Sequence, residues 1–140
     1  MAAVTCTVSA TPVAFGTYNP LSATATVSTG QVTASCTLIS GGTTTVSIVS
    51  SYSTGSSGTY TSRRMLSGAN PLNYNLYFDA AYTQVRGDGT GGSQTGGANF
   101  TLSNSNKTDS TTSTIYGRAP ALQDVAAGTY SDTITVTITY

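Results

Sequence analysis

The feature that most constrains this chain is an alternation of apolar and polar residues with a period of two. It recurs along most of the length, and no long segment shows helical spacing. Successive side chains on a strand point to opposite faces, so this alternation marks strands with one face turned to a core. It is cleanest at the C-terminus, over residues 132–140. There Ile134, Val136, Ile138 and Tyr140 share one face, while Thr133, Thr135, Thr137 and Thr139 share the other. Val4, Cys6 and Val8 define a first inward face, and Val32, Ala34, Cys36 and Leu38 a second. Gly41-Gly42 turns the chain into residues 43–50, with Val46 and Ile48 inward. Residues 60–66 read as a short edge strand. Leu72, Tyr74, Leu76 and Phe78 form the most strongly patterned strand of the middle section. Phe100 and Leu102 mark another strand, and Ile115-Tyr116 opens a further short one. Residues 50–58, 87–97 and 104–113, rich in Gly, Ser and Asn, read as loops. The sum is seven or eight strands at the spacing of a β-sandwich, in one domain over residues 1–140.

The chemistry is notable for what it lacks. Charged residues make up 7% of the chain, five basic against five acidic, where about 25% is usual. A net charge of zero argues against nucleic acid and anionic membranes as partners, since both require clustered Lys and Arg. There is no His and no Glu, so neither a Ser-His-Asp nor a Cys-His arrangement can form. Two cysteines alone cannot complete a zinc site. Asp79, Asp88, Asp109, Asp124 and Asp132 are scattered, and Asp79 and Asp132 read as solvated turn or strand-edge residues. The glycine-rich run from Gly87 to Gly92 lacks the Lys-Ser/Thr ending of a phosphate loop. Arg86-Gly87-Asp88 spells a receptor-recognition tripeptide, but three residues in a glycine-rich loop arise readily by chance. The expectation is a protein that is not an enzyme and uses no cofactor or metal. No apolar run approaches the ~20 residues of a membrane-spanning helix.

Cys6 and Cys36 form an even pair in a small, polar, β-rich chain, which favours a disulfide and an oxidising, extracytoplasmic setting. The alternative is two buried free thiols. A bridge would close a loop worth roughly 3–4 kcal/mol in the chain-entropy model. Nine tyrosines and no Trp raise the question of an adhesive face. Tyr52, Tyr60 and Tyr82, in or near loops, are its candidates, against the plainer reading that Tyr is a good strand residue with a polar tip.

Taken in order, several segments resemble the spore coat protein U domain family, which includes subunits of archaic chaperone–usher pili. They are Cys6-Thr7-Val8, then residues 13–20 (Val-Ala-Phe-Gly-Thr-Tyr-Asn-Pro), then Cys36 and Arg64-Met65. Residues 72–77 follow with Asp79 behind them, then Gly87-Asp88-Gly89-Thr90 and Ile115-Tyr116-Gly117-Arg118. Last come Gly128 to Thr133 and Val136 to Tyr140. The resemblance implies an incomplete immunoglobulin-like Greek-key sandwich that lacks its last strand and is completed by a donor strand in trans. It also implies a Cys6–Cys36 bridge. A periplasmic chaperone would supply the missing strand first and a neighbouring subunit later, with an outer-membrane usher guiding assembly into a pilus or coat at the cell surface. Two departures stand out. Arg86 lies where many members carry Trp, and only five residues precede Cys6, too few for a donor strand. Three situations fit the second departure: a tip adhesin domain that accepts but does not donate, a form with its extension removed, or a stand-alone coat protein. A self-contained secreted domain that binds carbohydrate or a surface is the competing class. Open sheet edges are normally blunted by charge, Pro or a bulge, and none occurs between Thr133 and Tyr140. Ile134, Val136, Ile138 and Tyr140 are therefore expected to border the groove that a partner strand fills.

Overall fold

The structure, a computed structural model, describes residues 2–140. Ten strands run in chain order: β1 (Ala3–Thr11), β2 (Thr17–Tyr18), β3 (Thr26–Ser40), β4 (Thr44–Tyr52), β5 (Arg63–Ser67), β6 (Asn70–Tyr77), β7 (Gly96–Leu102), β8 (Thr108–Ala119), β9 (Gly128–Thr129) and β10 (Val136–Thr139). One 3₁₀ turn, Gly55–Ser57, lies between β4 and β5. A five-stranded sheet in the order β1-β3-β8-β6-β5 faces a three-stranded sheet in the order β10-β4-β7, and β2 and β9 form a short ribbon. The fold is an all-β, immunoglobulin-like sandwich, with eight strands in its two main sheets.

The alternating sequence explains the core. On β3, the inward Val32, Ala34, Cys36 and Leu38 are all buried. Across the sandwich, Val46 and Ile48 of β4 and Phe100 and Leu102 of β7 pack with three of them, Ala34, Cys36 and Leu38. A second cluster gathers Tyr18, Val32, Tyr52, Met65, Leu72, Tyr74, Leu76 and Ile115. Cys6 and Cys36 sit directly opposite each other in the antiparallel β1–β3 register and are joined by a disulfide, with Cα atoms 4.1 Å apart. The bridge therefore fastens an edge strand to its neighbour β3, whose inward face is buried.

Three expectations change. Residues 104–113 are not a loop throughout, because β8 begins at Thr108 and pairs with β3 along its whole length. Polarity misled here. The outward face is laced by threonine pairs, Thr33–Thr112 (2.9 Å) and Thr37–Thr108 (3.1 Å), and the inward face carries Thr111 and Ser113 in place of the apolar residues that usually mark a core-facing strand. Gly96 and Gly97, assigned to the glycine-rich loop, open β7 instead. The C-terminal strand is shorter than the alternation suggests: only residues 136–139 form regular ladder pairs, with β4. Tyr140 lies past its end and is 57% exposed, so it does not continue the inward face.

Candidate functional site

The edges of the two sheets meet along one flank of the sandwich, where β1 faces β10. Among the described residues no backbone hydrogen bond joins these strands, although each is firmly held on its other side, β1 by β3 and β10 by β4. The segment ahead of β10 is pinned to β5 and to the residue that follows β4. Ser131 exchanges backbone bonds with Leu66 (2.8 and 2.9 Å), Ser53 N donates to Thr135 O (3.0 Å), and Thr135 N donates to Ser53 Oγ (2.8 Å). The last strand thus presents a free edge to β1.

At one end this seam is closed by side chains, with Val4, Cys6 and Ile138 packed on the β3–β4–β7 core. Toward the other end the walls diverge. Past Thr11, residues 12–16 leave the ladder and cross the inner face of the five-stranded sheet. Glycines make this crossing possible. A Cβ at Gly30 would lie 2.5 Å from Thr11 O, and one at Gly117 would lie 2.6 Å from Val13 Cγ1 and 2.8 Å from Phe15 Cζ. Between this strap and residues 129–136 opens an apolar groove of about 640 Å³, floored by Tyr52, Met65, Tyr74, Leu76 and Ile115. Val13 and Phe15 line one wall, Phe15 edge-on to Tyr74 (5.9 Å), and Ile134 and Val136 line the other. Inward residues along both walls (Val8, Val13, Phe15, Ile134, Val136 and Ile138) are only half-buried, and Ala10 is exposed. The half-buried six pack against the core yet keep part of their surface open.

Of the expected edge residues, the structure brings Ile134, Val136 and Ile138 together on this seam and leaves Tyr140 outside. Asp132, expected to be solvated, is instead half-buried at the groove mouth. Its Oδ2 accepts the Tyr74 hydroxyl (2.7 Å), and its Oδ1 accepts Ser56 N (3.0 Å) and Thr133 N (2.9 Å). Burial, reinforced by the bond to Asp132, pushes the Tyr74 phenol far above its ordinary range. Asp79 does behave as a turn residue: it accepts from the Thr83 hydroxyl and from Thr83 N and Gln84 N. These bonds, the hydroxyl first, hold its carboxyl below the usual range.

The tyrosine candidates do not form one exposed patch. Tyr52 is 2% exposed and belongs to the core. Its position at the end of β4 completes the inward alternation of Val46 and Ile48. Tyr60, half-buried, donates its hydroxyl to Tyr52 O (2.7 Å) and lies under the Arg63 guanidinium. Tyr82 packs edge-on against Tyr77 (5.4 Å), with Arg118 over its ring.

Sequence reasoning missed two arginines. Arg63 and Arg86 are both 0% exposed, and neither is paired with a carboxylate. Arg63 donates to Ser53 O, Asn75 Oδ1 and Arg86 O. Arg86 donates to Tyr77 O, Tyr52 Oη, Ser113 Oγ and Thr114 O, and stacks 4.0 Å over Phe78. Desolvation lowers the pKa of both. Together they tie the end of β4 to β6 and β8 beside the groove floor. Composition gives no sign of their burial, because a guanidinium in a polar stretch reads as solvent-facing; the one cue was that Arg86 stands where many members of the resembled family carry Trp. Of the Arg-Gly-Asp tripeptide, Arg86 and Gly87 are buried and only Asp88 is exposed.

These features define a class: an immunoglobulin-like sandwich left open along one flank, where its first and last strands fail to pair. The family model of the Spore Coat Protein U domain matches residues 1–137, and the chain belongs to that family. Among solved structures it is similar to the CsuC–CsuE chaperone–tip adhesion subunit pre-assembly complex from the archaic chaperone-usher Csu pili of Acinetobacter baumannii. That likeness has a TM-score of 0.54 at 16% identity, covers 99% of this chain and 40% of that one, and is a likeness of fold. A search of curated protein sequences finds no match.

Proposed function

We propose that this protein is a structural subunit of an extracellular pilus or coat, whose open seam takes an extended segment from another polypeptide. One observation carries the reading: the inward residues of β10 and of the segment before it are half-buried beside an unpaired backbone edge. A strand laid between β1 and β10 would satisfy both edges with main-chain hydrogen bonds and would send alternate side chains into the groove. Each Val- or Leu-sized group so buried contributes about 1.5–3 kcal/mol before ordering costs. Several together support a long-lived joint. The fold neighbour's description, a chaperone bound to a subunit before assembly, supports a periplasmic chaperone as first occupant and a neighbouring subunit as second, with an usher passing the chain to the cell surface.

The test is Val136→Asp, which places a charge on the groove wall. Co-expressed with the cognate periplasmic chaperone, the variant should fold with its disulfide intact yet fail to copurify with it. Undiminished copurification and undiminished polymerisation would overturn the reading.

A further inference from the structure

A second opening in the sandwich differs from the groove in chemistry. At four inward positions the apolar alternation gives way to small or hydroxyl residues: Ser50 on β4, Gly96 on β7, and Thr111 and Ser113 on β8. They coincide with a recess of about 290 Å³ between the sheets. Gly96 keeps it open, since a Cβ there would lie 2.6 Å from Ser50 Oγ and 3.2 Å from the Phe78 ring. Phe78 and Arg86 also line it, and most of the Arg86 N–H groups are already engaged by protein oxygens. At the rim stand Gln84 and Gln94, both exposed. Their backbones are fixed by bonds to Phe78, Asp79, Val85 and Gly87, which leaves the side-chain amides for a ligand.

We propose that this recess binds one ring of a neutral sugar. Two carboxamides and the Thr111 hydroxyl supply both donors and acceptors, the pattern that sugar hydroxyls require, and the Phe78 ring offers apolar contact for C–H groups. The volume lies at the lower limit of small-molecule sites, about 300 Å³, which fits a single ring. The inner end of the recess reaches the seam residues Val8 and Ile138, Thr111 lies on the central strand β8, and Gln84 and Gln94 stand toward β6 and β7, away from the seam edges.

The experiment is an NMR titration of the labelled protein with glucose, galactose, mannose and N-acetylglucosamine in turn, with sialic acid as the charged comparison. At least one neutral sugar should shift the Gln84 and Gln94 side-chain amides saturably. Gln94→Ala and Thr111→Val should each weaken that binding roughly tenfold, the loss expected for one unmade hydrogen bond, without altering the rest of the spectrum. The proposal is overturned if no monosaccharide gives saturable shifts, which would mean that the recess holds only water. It is equally overturned if both variants bind as the parent does, or if sialic acid binds more tightly than every neutral sugar.

Discussion

β3 and the C-terminal strand are written in the same code and meet different fates. Val32, Ala34, Cys36 and Leu38 alternate with polar residues and are buried; Ile134, Val136 and Ile138 alternate as cleanly and stay half-exposed. The difference lies in their neighbours. β3 is paired on both sides, by β1 and β8, and roofed by the opposite sheet, whereas β10 has β4 on one side and an empty seam on the other. Alternation fixes which face of a strand looks inward. Whether that face is covered depends on strands that the sequence of the segment does not contain.

This contrast can be broken or sharpened by mutation. The largest effect is expected on β3: Leu38→Ala should destabilise the free protein by about 3–5 kcal/mol, read from denaturant midpoints, because a packed core collapses poorly around a deleted isopropyl group. Removing the clamp between the two regimes, with Cys6 and Cys36 both replaced by Ser, should cost roughly 3–4 kcal/mol. Hydrogen exchange should then rise first in β1, the seam's other wall. On the seam itself, Ile134→Ala should cost only about 1 kcal/mol in the isolated chain, since the side chain is already partly wet. Its cost should grow once a partner strand covers it; an effect as large as that of Leu38→Ala in the free protein would mean the seam is already closed. The smallest effect is on acid stability. The Asp79 carboxyl has a folded-state pKa below its unfolded value, so its contribution is present at neutral pH and is lost as pH falls through the carboxylate range toward the depressed value. Asp79→Asn should lower the urea midpoint slightly at neutral pH and so flatten its fall through that acidic window.

What was legible in the sequence followed from the same contrast. The inward faces of β3, β4 and β6, the placement of both cysteines on core-facing positions, and the inward set Ile134, Val136 and Ile138 all came from a period of two. The first half of β8 did not, because hydroxyls occupy both of its faces and a polar stretch resembles a loop. Tyr52 was misplaced, and the burial of Arg63 and Arg86 went unread, because a buried guanidinium depends on distant oxygens such as Ser53 O and Thr114 O, and the Tyr52 phenol on Arg86, which only the folded chain brings near. The strap over Gly30 and Gly117 was likewise invisible, as two glycines in strand sequences look like weak points until another segment is seen to rest on them. The groove is a property of strand order, and no single segment encodes strand order.

The most direct test is amide hydrogen exchange on the free protein and on its complex with the periplasmic chaperone. The account predicts that amides of residues 132–139 not bonded to β4, and those of β1 not bonded to β3, exchange far faster than those of β3 in the free chain and become protected in the complex, while β3 is unchanged. Protection of both seam edges in the free protein, equal to that of β3, would contradict it.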